Sequence, residues 1–134
     1  MGMQVIQRRS IMLGGIVLGG ILSRLVSTGF VVVDHYLGDA LYAAMVFVLL
    51  LLFAPMRSRA TTALVALVIV VLIEAFQLTG IPLQLRSADH GLLRLLAVVL
   101  GTTFNGWDIV SYAVGILVGF GLDWRMVSTT TRVA

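Results

Sequence analysis

The residues of this chain with the clearest capacity for chemistry are Glu74 and Gln77, near the end of an apolar run long enough to cross a bilayer. An ionisable side chain at membrane depth costs about 2.5–3.5 kcal/mol on insertion scales, so it needs a partner. Arg24, inside another apolar run, is the expected ion-pair partner of Glu74, because these two charges should lie deepest. Such a pair either serves a ligand site or only fixes helix register. The alternative is a neutral Glu74 that is hydrogen-bonded to Gln77 or Tyr112.

Two more acids, Asp39 and Asp108, stand at the start of other apolar runs. An acid in the first helical turn satisfies free N–H groups and interacts favourably with the helix dipole, so capping explains each acid singly. However, both acids and Arg86 are expected at the same face of the membrane. Glu74 is expected nearer to that face than to the opposite one. We therefore predict a polar pocket that opens to the extracytoplasmic side. Its expected members are Arg24, Asp39, Glu74, Gln77, Arg86, Asp108 and Tyr112.

Metal and hydrolase chemistry receive less support from the sequence. Histidines and aspartates occur in the loops, but no His-Glu-x-x-His spacing is present and the chain has no cysteine, so we expect no metal and no cofactor. Carboxylates paired with arginines could bind a phosphate and supply a general base. No Gly-x-Ser-x-Gly motif accompanies them. An enzyme is therefore a less favoured hypothesis than a binding protein.

The composition is that of a membrane protein. The 134 residues are 60% hydrophobic and 11% charged, whereas a soluble domain carries about 25% charged residues. The net charge of +3 comes from arginines scattered around the apolar runs, which does not indicate nucleic-acid binding. The chain should form a single transmembrane domain.

Four apolar runs are long enough to span a bilayer, so the expected fold is an all-α, integral membrane four-helix bundle. A shorter apolar stretch at about residues 91–103 carries Arg94 and Gly101 and reaches only about 18 Å as a helix, so we expect a re-entrant or interfacial helix before the last span. A fifth full span is the alternative. The expected spans are about residues 11–33, 38–53, 60–78 and 107–124, with breaks at Ala54-Pro55 and Gly80-Ile81-Pro82.

The arginines predict the orientation. With four spans, Arg86 and Arg94 face one side, and six arginines face the other. By the positive-inside rule, both termini are then cytoplasmic. The six are Arg8, Arg9, Arg57, Arg59, Arg125 and Arg132.

Small residues recur at a spacing of four in the first and last spans, which is typical of helices that pack closely in lipid. We predict that these two spans touch along their small-residue rows. The plainer interpretation is that glycine is common in membrane helices. The rows are Gly15, Gly19, Ser23 and Ser27 in the first span, and Ser111, Gly115 and Gly119 in the last.

Several polar motifs occur along the chain in a fixed order. They are Ser23-Arg24, Tyr36-Leu37-Gly38-Asp39-Ala40-Leu41-Tyr42-Ala43, Ile73-Glu74-Ala75-Phe76-Gln77-Leu78, Arg86, Leu100-Gly101-Thr102-Thr103-Phe104 and the segment Trp107 to Gly115. Together they resemble the DUF2809 family of small bacterial membrane proteins. The Glu-x-x-Gln pattern is also similar to the VanZ-like family. The resemblance implies a multi-pass, four-helix protein of the bacterial inner membrane, and it implies no activity.

The favoured function is the binding of a small polar or anionic ligand, such as a lipid headgroup. Arg24 and Arg86 would supply the positive field, while the acids balance it and orient ligand donors. One alternative is an accessory or structural subunit of a membrane complex, and another is a membrane-embedded hydrolase acting on a lipid phosphate. The expected partners are membrane lipids and a membrane protein or a second copy of the chain.

Overall fold

The computed structural model describes residues 2–54 and 58–133, without the side chains of residues 130–133. Pro55, part of the expected break after the second span, and Arg57, one of the arginines used to predict the orientation, lie outside the described residues. The side chain of Arg132 lies outside them as well. The described chain forms six α-helices. They are α1 (Met3–Leu25), α2 (Val31–Phe53), α3 (Arg59–Gln77), α4 (Ile81–Arg86), α5 (Gly91–Leu100) and α6 (Gly106–Val133).

Four of these helices, α1, α2, α3 and α6, are long and apolar enough to cross a membrane. The all-α membrane fold with four candidate spans is therefore confirmed. Helix α5 has 10 residues and reaches about 15 Å, which is too short to cross. The described residues contain no fifth candidate span. Most large apolar side chains of α5 are exposed, as in a helix that lies against lipid.

The first span differs from its expected position, because α1 ends at Leu25 and a turn precedes α2. Asp34, in the first turn of α2, accepts hydrogen bonds from the backbone N–H of Thr28 at 2.8 Å and of Gly29 at 3.0 Å. Gly29 has φ +81°, a left-handed conformation that glycine adopts at little cost. The expected run of residues 11–33 is thus divided, and Arg24 lies in the last turn of α1 instead of at mid-span.

Helix α2 lies at the centre of the bundle, with α1, α3 and α6 around it. Its side chains Ala43, Phe47, Val48 and Leu51 are buried in the core. Helices α3 and α6 complete this core with Ala66, Val70, Tyr112 and Ile116. We call the end of the bundle where α2 and α6 begin the upper end, and the end where α1 and α3 begin the lower end.

The small-residue row of α6 packs against α2. A Cβ atom at Gly115 would overlap the backbone carbonyl of Ala40, and one at Gly119 would lie 3.2 Å from Cδ1 of Phe47. A Cβ atom at Gly15 would meet nothing within 4 Å. The expected contact between the two small-residue rows is therefore wrong.

The other members of the first row have local contacts. A Cβ atom at Gly19 would approach Leu41 of α2 at 3.6 Å. Ser23 donates to the carbonyl of Gly20, and Ser27 donates to Asp34. The row therefore does not reach α6, because α2 is the helix that packs on this part of α1.

Replacing glycines of the two rows by alanine tests whether the small-residue row of α6 packs against α2 or against the row of α1. We expect Gly115→Ala to lower the free energy of unfolding by about 1–3 kcal/mol, because the added methyl group overlaps backbone at the α2–α6 contact. Gly15→Ala should be neutral or stabilising by up to about 1 kcal/mol, since alanine favours the helix and the space is open. Gly121→Ala, also in open space, is the matched control within α6. Reversible unfolding in detergent micelles measures all three, and an equal loss in Gly15→Ala and Gly115→Ala would contradict the observed packing.

Candidate functional site

Glu74 is buried at the upper end, with 1% of its surface exposed. Its carboxylate accepts a hydrogen bond from the Tyr112 hydroxyl at 2.8 Å and one from the Asn105 backbone N–H at 2.9 Å. Nε2 of Gln77 donates a third at 3.2 Å. The expected ion pair of Arg24 with Glu74 is therefore wrong, and two of the observed donors are the alternative partners Gln77 and Tyr112. The protonation state of Glu74 stays a prediction.

Arg24 lies beside Asp39 instead of Glu74. Its Nη2 is 3.7 Å from Oδ1 of Asp39, and 68% of the Arg24 side chain is exposed. The early end of α1 explains the difference, because it places the guanidinium beside α2 at the rim of the bundle. Gly38 leaves room for it, since a Cβ atom there would lie 3.4 Å from Nε of Arg24. An exposed pair at this distance contributes about 0–1 kcal/mol.

Asp39, Glu74 and Asp108 form a carboxylate cluster at the upper end. They belong to α2, α3 and α6, and they lie close enough for the charges of Asp39 and Glu74 to act on Asp108. The capping explanation is wrong for Asp39, because α2 begins at Val31 and Asp34 occupies its first turn. Asp108 does lie in the first turn of α6, where the helix dipole favours an acid. The tertiary structure therefore brings together three acids that are remote in sequence.

The side-chain oxygen of Gln77, Oε1, accepts no hydrogen bond from the described residues, although Gln77 contacts this cluster. Nε2 donates to Glu74 and also to the carbonyl of Leu100, at 2.8 Å. Both partners are acceptors, so the orientation of the amide is determined. Among the described residues, Oε1 of Gln77 is buried and has no hydrogen-bond partner. An orphaned buried acceptor costs about 1–3 kcal/mol, which a donor from water or a ligand would recover.

The loop after α5 closes over Gln77. Gly101 has φ +75°, and a Cβ atom there would lie only 2.7 Å from Nε2 of Gln77. Glycine is therefore required at this position for two reasons, the left-handed backbone and the close approach. Because Leu100 and Asn105 bond to Gln77 and Glu74, the short helix α5 and its linker cover the deepest part of the site.

Arg86 is exposed in the last turn of α4. The described residues provide it with no ion pair or side-chain hydrogen bond, so its membership of the site stays a prediction. No group of three or more His, Asp or Glu side chains in the described ranges is placed to hold a metal ion.

A second polar cluster, which the sequence analysis missed, lies at the lower end. Asp123 is fully buried, and its carboxylate receives Nε of Arg9 at 2.7 Å and Nε of Arg59 at 2.7 Å. Nη2 of Arg9 adds a bond at 3.0 Å, and its Nη1 donates to the Leu51 carbonyl at 3.3 Å. This Asp123 cluster therefore connects all four spanning helices.

One feature of the sequence could have revealed this cluster. Asp123 is an acid inside the last apolar run, on the side to which the positive-inside rule assigns most arginines. Arginines on this side serve both as orientation signals and as ion-pair partners, and Arg9 and Arg59 are the two that bond to Asp123. The compensated charges and complete burial of Asp123 indicate a structural role.

An apolar groove runs between the first turns of α2 and α6. Its volume is about 450 Å³. Two members of the carboxylate cluster are chain neighbours of its lining residues, since Asp39 precedes Ala40 and Asp108 follows Trp107. The groove is lined by Val32, Val33, Tyr36, Leu37, Ala40, Trp107, Val110, Ser111 and Val114.

Comparison with known proteins gives one result. A family model described as "Protein of unknown function (DUF2809)" matches residues 29–116. The chain belongs to the DUF2809 family. No curated protein and no solved structure matches it. The DUF2809 match includes the carboxylate cluster with Gln77 and Tyr112, whereas Arg24 and Asp123 lie outside it. The wider likeness to VanZ-like proteins stays a prediction.

The two arginines of α1 that contact acids provide a matched test of the two clusters. We expect Arg9→Gln to lower the free energy of unfolding by about 1.5–3 kcal/mol, because it removes one of the two guanidinium groups bonded to the fully buried Asp123 and leaves Arg59. Arg24→Gln should cost about 0–1 kcal/mol, because its pair with Asp39 is long and exposed. Equilibrium unfolding of both variants in the same detergent measures the difference. Equal losses would show that the contact of Arg9 with Asp123 contributes no more to stability than the contact of Arg24 with Asp39.

Proposed function

We infer that this DUF2809 protein binds a small polar ligand that carries a positive charge or several hydrogen-bond donors. The carboxylate cluster is the site. The observation that supports this most is the excess of acids at the upper end, where Asp39, Glu74 and Asp108 lie near one another and the nearby basic side chains are the largely exposed Arg24, beside Asp39, and His35. Like charges in a poorly solvated place raise one another's energy, and a bound cation would relieve this repulsion.

Gln77 supports the same ligand chemistry independently. Its unused Oε1 needs a donor, which an ammonium or hydroxyl group can supply. Tyr112 and the backbone of Asn105 already donate to Glu74, so Asp39 and Asp108 are the acids that stay available to a ligand.

This chemistry narrows the ligand expected from the sequence. An anionic ligand would need the fields of Arg24 and Arg86, but Arg24 lies 3.7 Å from Asp39, and the charges of Asp39 and Glu74 act on Asp108, so the field of the acids opposes an anion. A phosphate alone is therefore disfavoured, and a group with an ammonium is favoured. A hydrolase acting on a lipid phosphate is less supported for the same electrostatic reason.

The proposed location is the bacterial inner membrane, with both termini cytoplasmic and the site on the extracytoplasmic side. The positive-inside rule supports this orientation, because Arg8, Arg9, Arg59 and Arg125 all belong to the lower end. The carboxylate cluster is then accessible to molecules of the outer leaflet.

A second candidate function is that of an accessory subunit or homo-oligomer. Helix α1 supports it, because only 6% of its spanning window is buried and Cβ atoms at Gly14 and Gly15 would meet nothing within 4 Å. Small residues in open space permit close approach of another helix in lipid. If this function holds, Gly14→Leu should shift the mass of the detergent-solubilised assembly to that of a monomer.

Binding of a headgroup without acyl chains tests the proposed function. We expect glycerophosphoethanolamine to change the fluorescence of Trp107, which adjoins Asp108, in a Trp124→Phe background with one tryptophan. Asp39→Asn combined with Asp108→Asn should weaken binding at least about tenfold, or about 1.4 kcal/mol, because it removes the negative field.

Asp89→Asn is the matched control, since this acid is exposed in the loop between α4 and α5. It should bind like the wild-type protein, and glycerophosphoglycerol should bind more weakly than glycerophosphoethanolamine. Equal or tighter binding of glycerophosphoglycerol would contradict a site selective for positive charge.

A further inference from the structure

We propose that the groove between α2 and α6 holds an acyl chain, so that the ligand of the carboxylate cluster is a whole amine-bearing phospholipid. This inference rests on the proposed function for the headgroup and adds the chain-binding part. We call this cavity the α2–α6 groove, with the lining residues given above.

The groove is closed at one end by the contact between α2 and α6. A Cβ atom at Gly115 would overlap the carbonyl of Ala40, so the two backbones touch there and leave no space between them. The lining residues reach this contact, from Val32 to Ala40 on α2 and from Trp107 to Val114 on α6. The groove is therefore blind at mid-bundle and opens toward the upper end.

The dimensions favour a lipid chain over a protein helix. From Val32 to Ala40 the groove extends about 12 Å at helical rise. A partner span would need a continuous surface of about 30 Å. The volume of about 450 Å³ is that of a small-molecule site. A chain that enters from the upper end and stops at Gly115 matches this shape.

The lining chemistry also fits a hydrocarbon chain. Six of the nine lining residues are aliphatic, and two are aromatic. The hydroxyl of Ser111 donates to the carbonyl of Trp107, so the wall does not present this donor to an occupant. Trp107 lies at the outer end of the wall on α6, and such a side chain favours the level of lipid headgroups.

The position of the groove beside the acids selects the headgroup. Asp39 adjoins the lining residue Ala40, and Asp108 adjoins the lining residue Trp107. A lipid whose chain lies in the groove and stops at the Ala40–Gly115 contact therefore has its polar end at the level of Trp107, beside Asp108, whereas Asp39 flanks the closed end. Charge complementarity favours an ammonium headgroup such as that of phosphatidylethanolamine over an uncharged or purely anionic one.

Filling the groove with a large side chain tests the proposal. The delipidated protein is incubated with phosphatidylethanolamine or with phosphatidylglycerol of the same chains, and native mass spectrometry measures the lipid retained. Val114→Trp fills the groove from α6, and Val118→Trp is its control one turn further along, outside the lining. Val33→Trp and its control Val31→Trp repeat the comparison on α2, in case one variant fails to fold.

The expected result is preferential retention of phosphatidylethanolamine by the wild-type protein. Both groove-filling variants should lose about tenfold in retention, and both controls should behave like wild type. Glycerophosphoethanolamine, which has no chains, should bind all these proteins equally.

Each other result overturns the inference in a recognisable way. If groove filling leaves lipid retention unchanged while glycerophosphoethanolamine still binds, the groove holds no chain and the proposed function stands. If both lipids are retained equally, the acids do not select the headgroup. If groove filling instead converts a dimer to a monomer, the occupant is a second copy of the chain. If glycerophosphoethanolamine fails to bind the wild-type protein, the proposed function fails as well.

Discussion

The close contact between α2 and α6 is the constraint on which both parts of the candidate site depend. Gly115 brings the backbone of α6 against the carbonyl of Ala40, which no larger residue would permit. This contact sets Asp108 near Asp39 at the upper end and closes the apolar groove at mid-bundle. One backbone contact thus positions a charged cluster and an apolar cavity side by side.

The two polar clusters illustrate how a bundle in lipid handles buried charge. Asp123 has two guanidinium groups within 2.7 Å, so its burial is compensated and the four spans are tied together. Glu74 is satisfied by neutral donors, and of its neighbours among the described residues Asp39 has an ion pair, at 3.7 Å with the exposed Arg24, whereas Asp108 has none. The lower cluster therefore has a structural role, because it holds the four spans together. The upper cluster retains unused acceptors, which is the condition for binding.

Much of the fold was predictable from the sequence, because hydropathy is a local property. Four apolar runs identified four spans, and the short run near Ala97 was correctly distinguished from a span by its length. The boundary between α1 and α2 was not predictable in this way. The turn around Gly29 depends on hydrogen bonds to Asp34, and a continuous apolar run conceals it.

The sequence by itself determined the helical class and the family. It also indicated that Glu74 needs a partner, but it favoured Arg24 and gave Gln77 or Tyr112 only as the alternative. Only the tertiary structure decided who those partners are. Ending α1 at Leu25 moves Arg24 to the rim, and ion pairs such as Arg9 with Asp123 join residues far apart in the chain. Partner choice depends on distances of a few ångströms between helices, and these arise only when the spans pack.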